Sequence, residues 1–114
     1  MIHSTIRMVI PFKKRAETLE ILSSIAERTR FEPGCISCRV YQGMEDQHVI
    51  MLEEFWKSFE DLERHLRSEE YRKVLLVVEM ALETPEIRFD HISSSTGVET
   101  IEKARTLGGG KGRP

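Results

Sequence analysis

This 114-residue chain has no apolar run that reaches the length of a membrane span. The longest, Val74 to Val78, falls far short of the roughly 20 residues a bilayer demands. No sign of charge dominates either: 17 basic residues stand against 19 acidic ones, spread along the sequence. That balance leaves neither a basic stripe for nucleic acid nor an acidic block of disordered type. The amino terminus, Met1-Ile2-His3-Ser4-Thr5-Ile6-Arg7, lacks a basic stretch leading into a long apolar one. A signal peptide is therefore not expected, and a cytoplasmic location is.

Cysteine is almost absent. Cys35 and Cys38 have the spacing of redox and zinc motifs, but no second pair exists to complete a tetrahedral site. They lie in a strand-like stretch, where residues three apart point to opposite faces, so they read as two small, reduced packing residues. His3, His48 and His91 fall on separate strand-like segments at no ligand spacing, and no metal site is expected.

What is present suits one compact domain, since a chain of this length with 39% hydrophobic residues can bury one core. Thr5 to Phe12 mixes β-branched and apolar residues and is stopped by Pro11, as a strand would be. From Lys14 to Thr29, Leu19, Leu22, Ile25, Ala26 and Thr29 recur at helical spacing. Glu32-Pro33-Gly34 turns the chain into a second strand, Ile36 to Gln42, and the polar cluster from Gly43 to Gln47 makes a hairpin into a third, His48 to Trp56. Ser58 is placed to cap a helix carrying Phe59, Leu62 and Leu66, with Asp61 three residues on and His65 at the border of the apolar stripe. Ser68-Glu69-Glu70 restarts a helix toward Leu82 whose apolar residues predict burial on more than one side. After Thr84-Pro85, Ile87, Phe89 and His91 alternate as a last strand.

The order is β-α-β-β-α-β, an α+β ferredoxin-like plait with an antiparallel sheet, over residues 1–92. Residues 93–114 form an extension. Ser93 to Gly97 reads as linker, Val98 to Leu107 as a short helix, and Gly108 to Pro114 as mobile.

In the third strand Val49, Met51 and Phe55 face one way and Ile50, Leu52 and Trp56 the other, so both faces are apolar. Helices of a plait cover one face only, and a second copy of the chain is the simplest cover for the other. A homodimer with face-to-face sheets is the expectation.

Chemistry concentrates where that strand meets the next helix. Trp56 can wall a pocket or stack on a planar ring, or be a plain core tryptophan. Glu54 shares its face; buried without a cation it would lean toward a raised pKa, as a general base needs, or pair with Arg39 or Arg88. His65 is the most credible acid-base group, because an imidazole exchanges a proton near neutral pH; the alternative is that it caps or hydrogen-bonds a neighbouring loop. Tyr71 can donate a hydrogen bond to a phenolate or carbonyl oxygen, or serve in packing with its hydroxyl exposed. These residues, with Leu52 and Phe55 as further candidates for substrate contact, mark a pocket at the sheet-helix boundary.

Glu32-Pro33-Gly34-Cys35, Glu54-Phe55-Trp56 and His65-Leu66-x-Ser68-x-x-Tyr71 together resemble the antibiotic biosynthesis monooxygenase domain. The resemblance implies a dimeric α+β barrel and, in some members, oxidation of electron-rich aromatic or quinol substrates by molecular oxygen without metal or flavin. Departures are plain: the anthrone-oxidising branch carries an Asn where this chain has Leu52, and the chain contains no Asn at all. The related haem-degrading branch places a Trp where this chain has His65 and a His where it has Leu75, so haem is not expected. The implied function is a cofactor-independent monooxygenase acting on a small aromatic compound; the rival is a non-catalytic dimer that binds a small molecule or regulates a partner.

Overall fold

The computed structural model of the chain describes residues 1–111; the end of the predicted mobile tail, 112–114, lies outside the described residues. The elements run β1 (Ile2–Val9), α1 (Phe12–Thr29), β2 (Cys35–Gln42), β3 (Val49–Trp56), α2 (Phe59–Leu66), α3 (Glu69–Val78), β4 (Glu86–His91) and α4 (Val98–Lys111). One antiparallel sheet in the order β2-β3-β1-β4 carries α1, α2 and α3 on a single face. This is the ferredoxin-like plait that the element order predicts.

Strand alternation fixes which residues meet the helices. On β3, Ile50, Leu52, Glu54 and Trp56 are buried, while Val49, Met51, Glu53 and Phe55 on the opposite face are only half-buried. On β1, Ile2, Ser4, Ile6 and Met8 are buried and interleave with them. The antiparallel register sets Ile2 beside Trp56, Ser4 beside Glu54 and Ile6 beside Leu52. The main core gathers Ile6, Met8, Ile10, Leu22, Ile25 and Val74, and a second, smaller cluster of Ile2, Trp56 and Leu62 closes the other end of the sheet. Each fully buried aliphatic side chain contributes about 1.5–3 kcal/mol relative to exposure.

The segment boundaries differ from expectation where proline or a bulge intervenes. Pro11 has extended backbone (φ −55°, ψ 139°) and its carbonyl accepts from the Lys14 N–H at 2.8 Å, so the first helix starts at Phe12, where the strand was expected to end. The cysteine pair departs more consequentially. A bulge between Cys35 and Ser37 inserts one residue, so Cys35 opposes Trp56 and Cys38 opposes Glu54, both on the helix-covered face. Simple alternation would have separated them; the extra residue resets the count.

The third helix is also less buried than its composition suggests. Tyr71, Val74 and Val77 form its one buried stripe, whereas Leu75 and Leu76 are about half exposed, and the helix stops at Val78. α4 continues through Gly108–Gly110 to Lys111, further than the expected end at Leu107, even though each glycine costs a helix about 1 kcal/mol relative to alanine. Its side chains from Val98 to Thr106 are exposed. No helix among the described residues is long and apolar enough to cross a membrane.

Candidate functional site

Three local structures converge on the pair of Glu54 and His65. The first is the end of β3, where alternation buries Glu54 and Trp56 on one face two residues apart. The indole Nε1–H of Trp56 donates to Glu54 Oε1 at 3.0 Å. The second is α2, capped by Ser58, whose hydroxyl accepts from the Asp61 N–H at 3.2 Å and donates to the Asp61 carboxylate at 2.9 Å. Leu62 and His65 are the buried residues of this helix, so the imidazole sits inside the apolar stripe and not at its border. His65 Nε2 lies 3.2 Å from Glu54 Oε2.

The third is the turn between α1 and β2. Gly34 adopts φ +83°, and a Cβ there would come within 2.1 Å of the Asp61 side chain, so only glycine permits this packing. The turn is pinned by the Glu32 N–H to the Thr29 carbonyl at 3.0 Å, the Cys35 N–H to the Glu32 carbonyl at 3.1 Å, and the Lys57 N–H to the Gly34 carbonyl at 2.9 Å. Held this way, Glu32 places Oε1 2.8 Å from His65 Nδ1. The imidazole thus lies between two carboxylates, one fully buried and one part-exposed.

Aromatic and sulfur neighbours complete the cluster. The rings of Trp56 and His65 have centroids 4.7 Å apart at 31°, and Tyr71 meets the His65 ring edge-on at 5.4 Å and 77°. Tyr71 is oriented by the Ser68 cap of α3, whose hydroxyl accepts from the Tyr71 N–H at 3.2 Å and donates to the His65 carbonyl at 2.6 Å. From β2, Cys38 directs its thiol at Glu54 Oε2, 3.7 Å away. Among the described residues no group of three or more His, Cys, Asp or Glu is arranged to hold a metal ion.

The electrostatics follow from this packing. Burial by itself lowers the pKa of His65, but the hydrogen bond and charge of Glu54, followed by those of Glu32, outweigh it and raise the pKa. Below that raised pKa the imidazolium form lets both ring nitrogens donate to carboxylates. Burial, then the Glu54 charge, pushes the Tyr71 hydroxyl up to about 12. Cys35 is pushed up to about 11 by burial and then by Glu54 and Glu32, with Arg30 opposing, and Cys38 is pushed further up, again first by burial. Both thiols are free and held neutral, far from the thiolate form that reacts.

The candidate residues read from sequence divide into three groups. Glu54, Trp56, His65 and Tyr71 come together. Leu52 lies on the same face one residue pair along, in the main core between Ile6 and Val40. Phe55 faces the opposite side of the sheet, stacked on His3 with centroids 4.4 Å apart and planes at 12°. The expected arginine partners of Glu54 are not its partners: Arg39 opposes Glu53 and Arg88 opposes Thr5, both on the uncovered face, and histidine supplies the cation. Glu32 and Cys38 were not singled out as site residues. Glu32 sits in the quoted Glu-Pro-Gly-Cys turn, whereas only the bulge reveals where Cys38 points.

The clefts lie elsewhere. One of about 290 Å³ is lined by Ser24, Ile25, Arg28 and Lys73, and one of about 350 Å³ by Ile21, Leu76, Val77 and Met80, both between α1 and α3. A third, of about 180 Å³, opens on the uncovered face beside Arg7, Tyr41 and Met51. The Glu54 and His65 side chains are themselves buried, 1% and 0% exposed. On the same sheet face, however, the edge strand β4 presents Ile87 and Phe89 about 40% exposed, with Phe59 5.6 Å from the His91 ring.

The chain is thus a small α+β plait in which a Glu-x-Trp strand end faces a helical histidine. The family model for antibiotic biosynthesis monooxygenase matches residues 1–75, and the chain belongs to that family. Among solved structures, a conserved protein from Methanosarcina mazei is 27% identical with a TM-score of 0.73, over 79% of this chain and 90% of its own. A candidate antibiotic biosynthesis monooxygenase from Deinococcus radiodurans has a TM-score of 0.78 at 17% identity, over 85% of this chain and 97% of its own. A Bacteroides thetaiotaomicron protein of unknown function, described as a possible oxidoreductase, has a TM-score of 0.67 at 17% identity, over 78% and 92%. The last two show the shared fold. No curated protein matches the chain.

Proposed function

We propose that the protein is a cytoplasmic, cofactor-independent monooxygenase of a small aromatic or quinol-like compound. The observation that supports this most is the buried Glu54 carboxylate facing the His65 imidazole at 3.2 Å beside the Trp56 ring, in a family of monooxygenase type. Two titratable groups held in contact, one anionic and one cationic, form an acid-base unit. In this scheme the closed row opens on the β4 side to admit a phenolic substrate, which gives its proton to this unit. Its electron-rich anion then reduces oxygen, and the His65 imidazolium returns a proton to the reduced oxygen. For a hydroquinone the balance is one molecule of O₂ consumed, one oxygen atom entering the ring to give a hydroxyquinone, and the other leaving as water.

The same reading takes the protein as a homodimer. The uncovered sheet face carries Val49, Met51 and Phe55 from β3 and an exposed Tyr41 from β2, and a second copy would bury them.

The test is oxygen uptake with a panel of hydroquinones and anthrones, comparing the wild type with His65→Ala. Uptake that is lost in the variant supports the reading; uptake unchanged in the variant removes His65 from it. No uptake with any substrate favours the second reading, a non-catalytic dimer that binds a small molecule, to which the apolar Leu52 already lends support.

A further inference from the structure

In the Glu54–His65–Glu32 row the two carboxylates are not equivalent. Glu54 receives two hydrogen bonds besides the imidazole, from the Trp56 indole to Oε1 and from the Cys38 thiol to Oε2. Glu32 makes its short contact of 2.8 Å to Nδ1, against 3.2 Å from Nε2 to Glu54. When the imidazolium gives up one proton, a single N–H remains for two competing acceptors. The negative charge on Glu54 is already met by other donors, while the closer carboxylate is Glu32. The remaining proton belongs on Nδ1.

We propose that Glu32 is the positioning residue of this site: it holds the His65 Nδ1–H, so that the one mobile proton runs between Nε2 and Glu54 Oε2. Imidazolium and carboxylate on one side, neutral imidazole and carboxylic acid on the other, differ only in where that proton sits. No atom is gained or lost. Fixing one ring nitrogen is what makes the other available, because a neutral imidazole protonated at Nε2 could accept nothing from Glu54. Glu32 also stands at the outer end of the row, its side chain 24% exposed where those of His65 and Glu54 are closed to solvent.

The groups facing the imidazole from the packed elements are Glu54 from β3, Glu32 from the α1–β2 turn, Tyr71 from α3 and, through Glu54, Cys38 from β2. Tyr71 and both cysteines are held neutral across the range in which histidine titrates. The titration of His65 therefore reports on its two carboxylates.

The catalytic consequence rests on the monooxygenase reading, but the tautomer does not, and the experiment separates them. Histidine labelled with ¹⁵N, followed by NMR across the His65 titration, distinguishes a protonated Nδ1 from a protonated Nε2 in the neutral ring. The wild type is expected to show Nδ1–H. Glu32→Ala, which removes the acceptor, should move the proton to Nε2. Glu32→Gln, whose amide oxygen still accepts, should restore Nδ1–H at least in part; if the alanine variant does not fold, the tautomer of the wild-type ring decides by itself. A neutral wild-type ring protonated at Nε2, or a ring that keeps Nδ1–H in a folded Glu32→Ala, overturns the proposal. In oxygen uptake, Glu32→Ala should lower kcat at least tenfold with KM changed less than threefold; an equal effect on both would assign Glu32 to substrate binding instead. If no substrate supports uptake in the wild type, the monooxygenase reading fails while the NMR result still decides the role of Glu32.

Discussion

The two faces of the sheet carry nearly the same constellation in different surroundings. On the covered face, His65 pairs with Glu54 and packs against Trp56. On the uncovered face, one residue along the same strand, Glu53 pairs with His3 at 2.9 Å, and His3 stacks on Phe55. Composition does not distinguish these trios of histidine, glutamate and aromatic ring. Their surroundings do: the His65 and Glu54 side chains are 0% and 1% exposed, those of His3 and Glu53 27% and 23%. Burial strengthens each electrostatic contact and raises the cost of leaving one unmade. Only the covered pair sits where a missing partner leaves a charge in the core.

The comparison breaks most clearly at His65. Replacing it with alanine leaves the Glu54 carboxylate buried without a cation and opens a void beside Trp56, and loss of one partner of a buried ion pair destabilises by about 3–5 kcal/mol. Urea denaturation of His65→Ala measures this directly. A loss under 1 kcal/mol would mean that the Trp56 and Cys38 donors satisfy Glu54 by themselves.

The turn that delivers Glu32 should be nearly as sensitive. Gly34→Ala forces a side chain into the φ +83° conformation and against Asp61, and strain of this kind costs about 1–3 kcal/mol, with the clash adding to it. It should also withdraw Glu32 from Nδ1, so the ¹⁵N spectrum of His65 changes along with the denaturation midpoint. An unchanged spectrum would show that the turn shifts without carrying its carboxylate.

The pH dependence of stability sharpens the contrast further. The folded-state pKa of His65 is raised above the unfolded value near 6.5, so the native state binds the extra proton more tightly. That stabilisation is fully present below about pH 6.5 and is lost as pH rises through the folded pKa. The thermal midpoint should therefore fall on the alkaline side, and His65→Ala should flatten that part of the curve. A profile identical in the variant would place the alkaline loss elsewhere.

Most of the fold was legible because it rests on local periodicity. The period-2 run from Val49 to Trp56, the helical spacing from Leu19 to Thr29 and the Ser58 cap each point to one element, and the β-α-β-β-α-β order leaves few topologies. The site was legible in part, for the same reason: alternation alone puts Glu54 and Trp56 on one face. What escaped depended on longer-range facts. The bulge at Cys35 to Ser37 reverses a face count that was sound for a regular strand, and the reach of Glu32 to His65 spans 33 residues of sequence. Helix rotation decided the remainder. His65 and the half-exposed Leu75 and Leu76 are all placed by how their helices turn against the sheet, which periodicity approximates and packing fixes.

The uncovered face supplies the smallest effect and the sharpest separation of roles. His3→Ala removes a partly exposed contact with Glu53, and surface pairs of that kind contribute about 0–1 kcal/mol. The Phe55 ring loses its stacking partner, while the core behind β3 stays closed. Equilibrium stability should thus move by under about 1 kcal/mol, and the His65 spectrum should not move at all. The proposed dimer offers the contrasting readout. If a second copy covers this face, both rings are interface groups, and Phe55→Glu places a charge where two sheets meet. Sedimentation should then report a shift toward single chains for Phe55→Glu and a smaller one for His3→Ala, with the fold intact by circular dichroism. A wild type that sediments as one chain would remove the second copy from the account. His3 and Glu53 would then remain an ordinary surface pair, and the difference between the two faces would come from the helices alone.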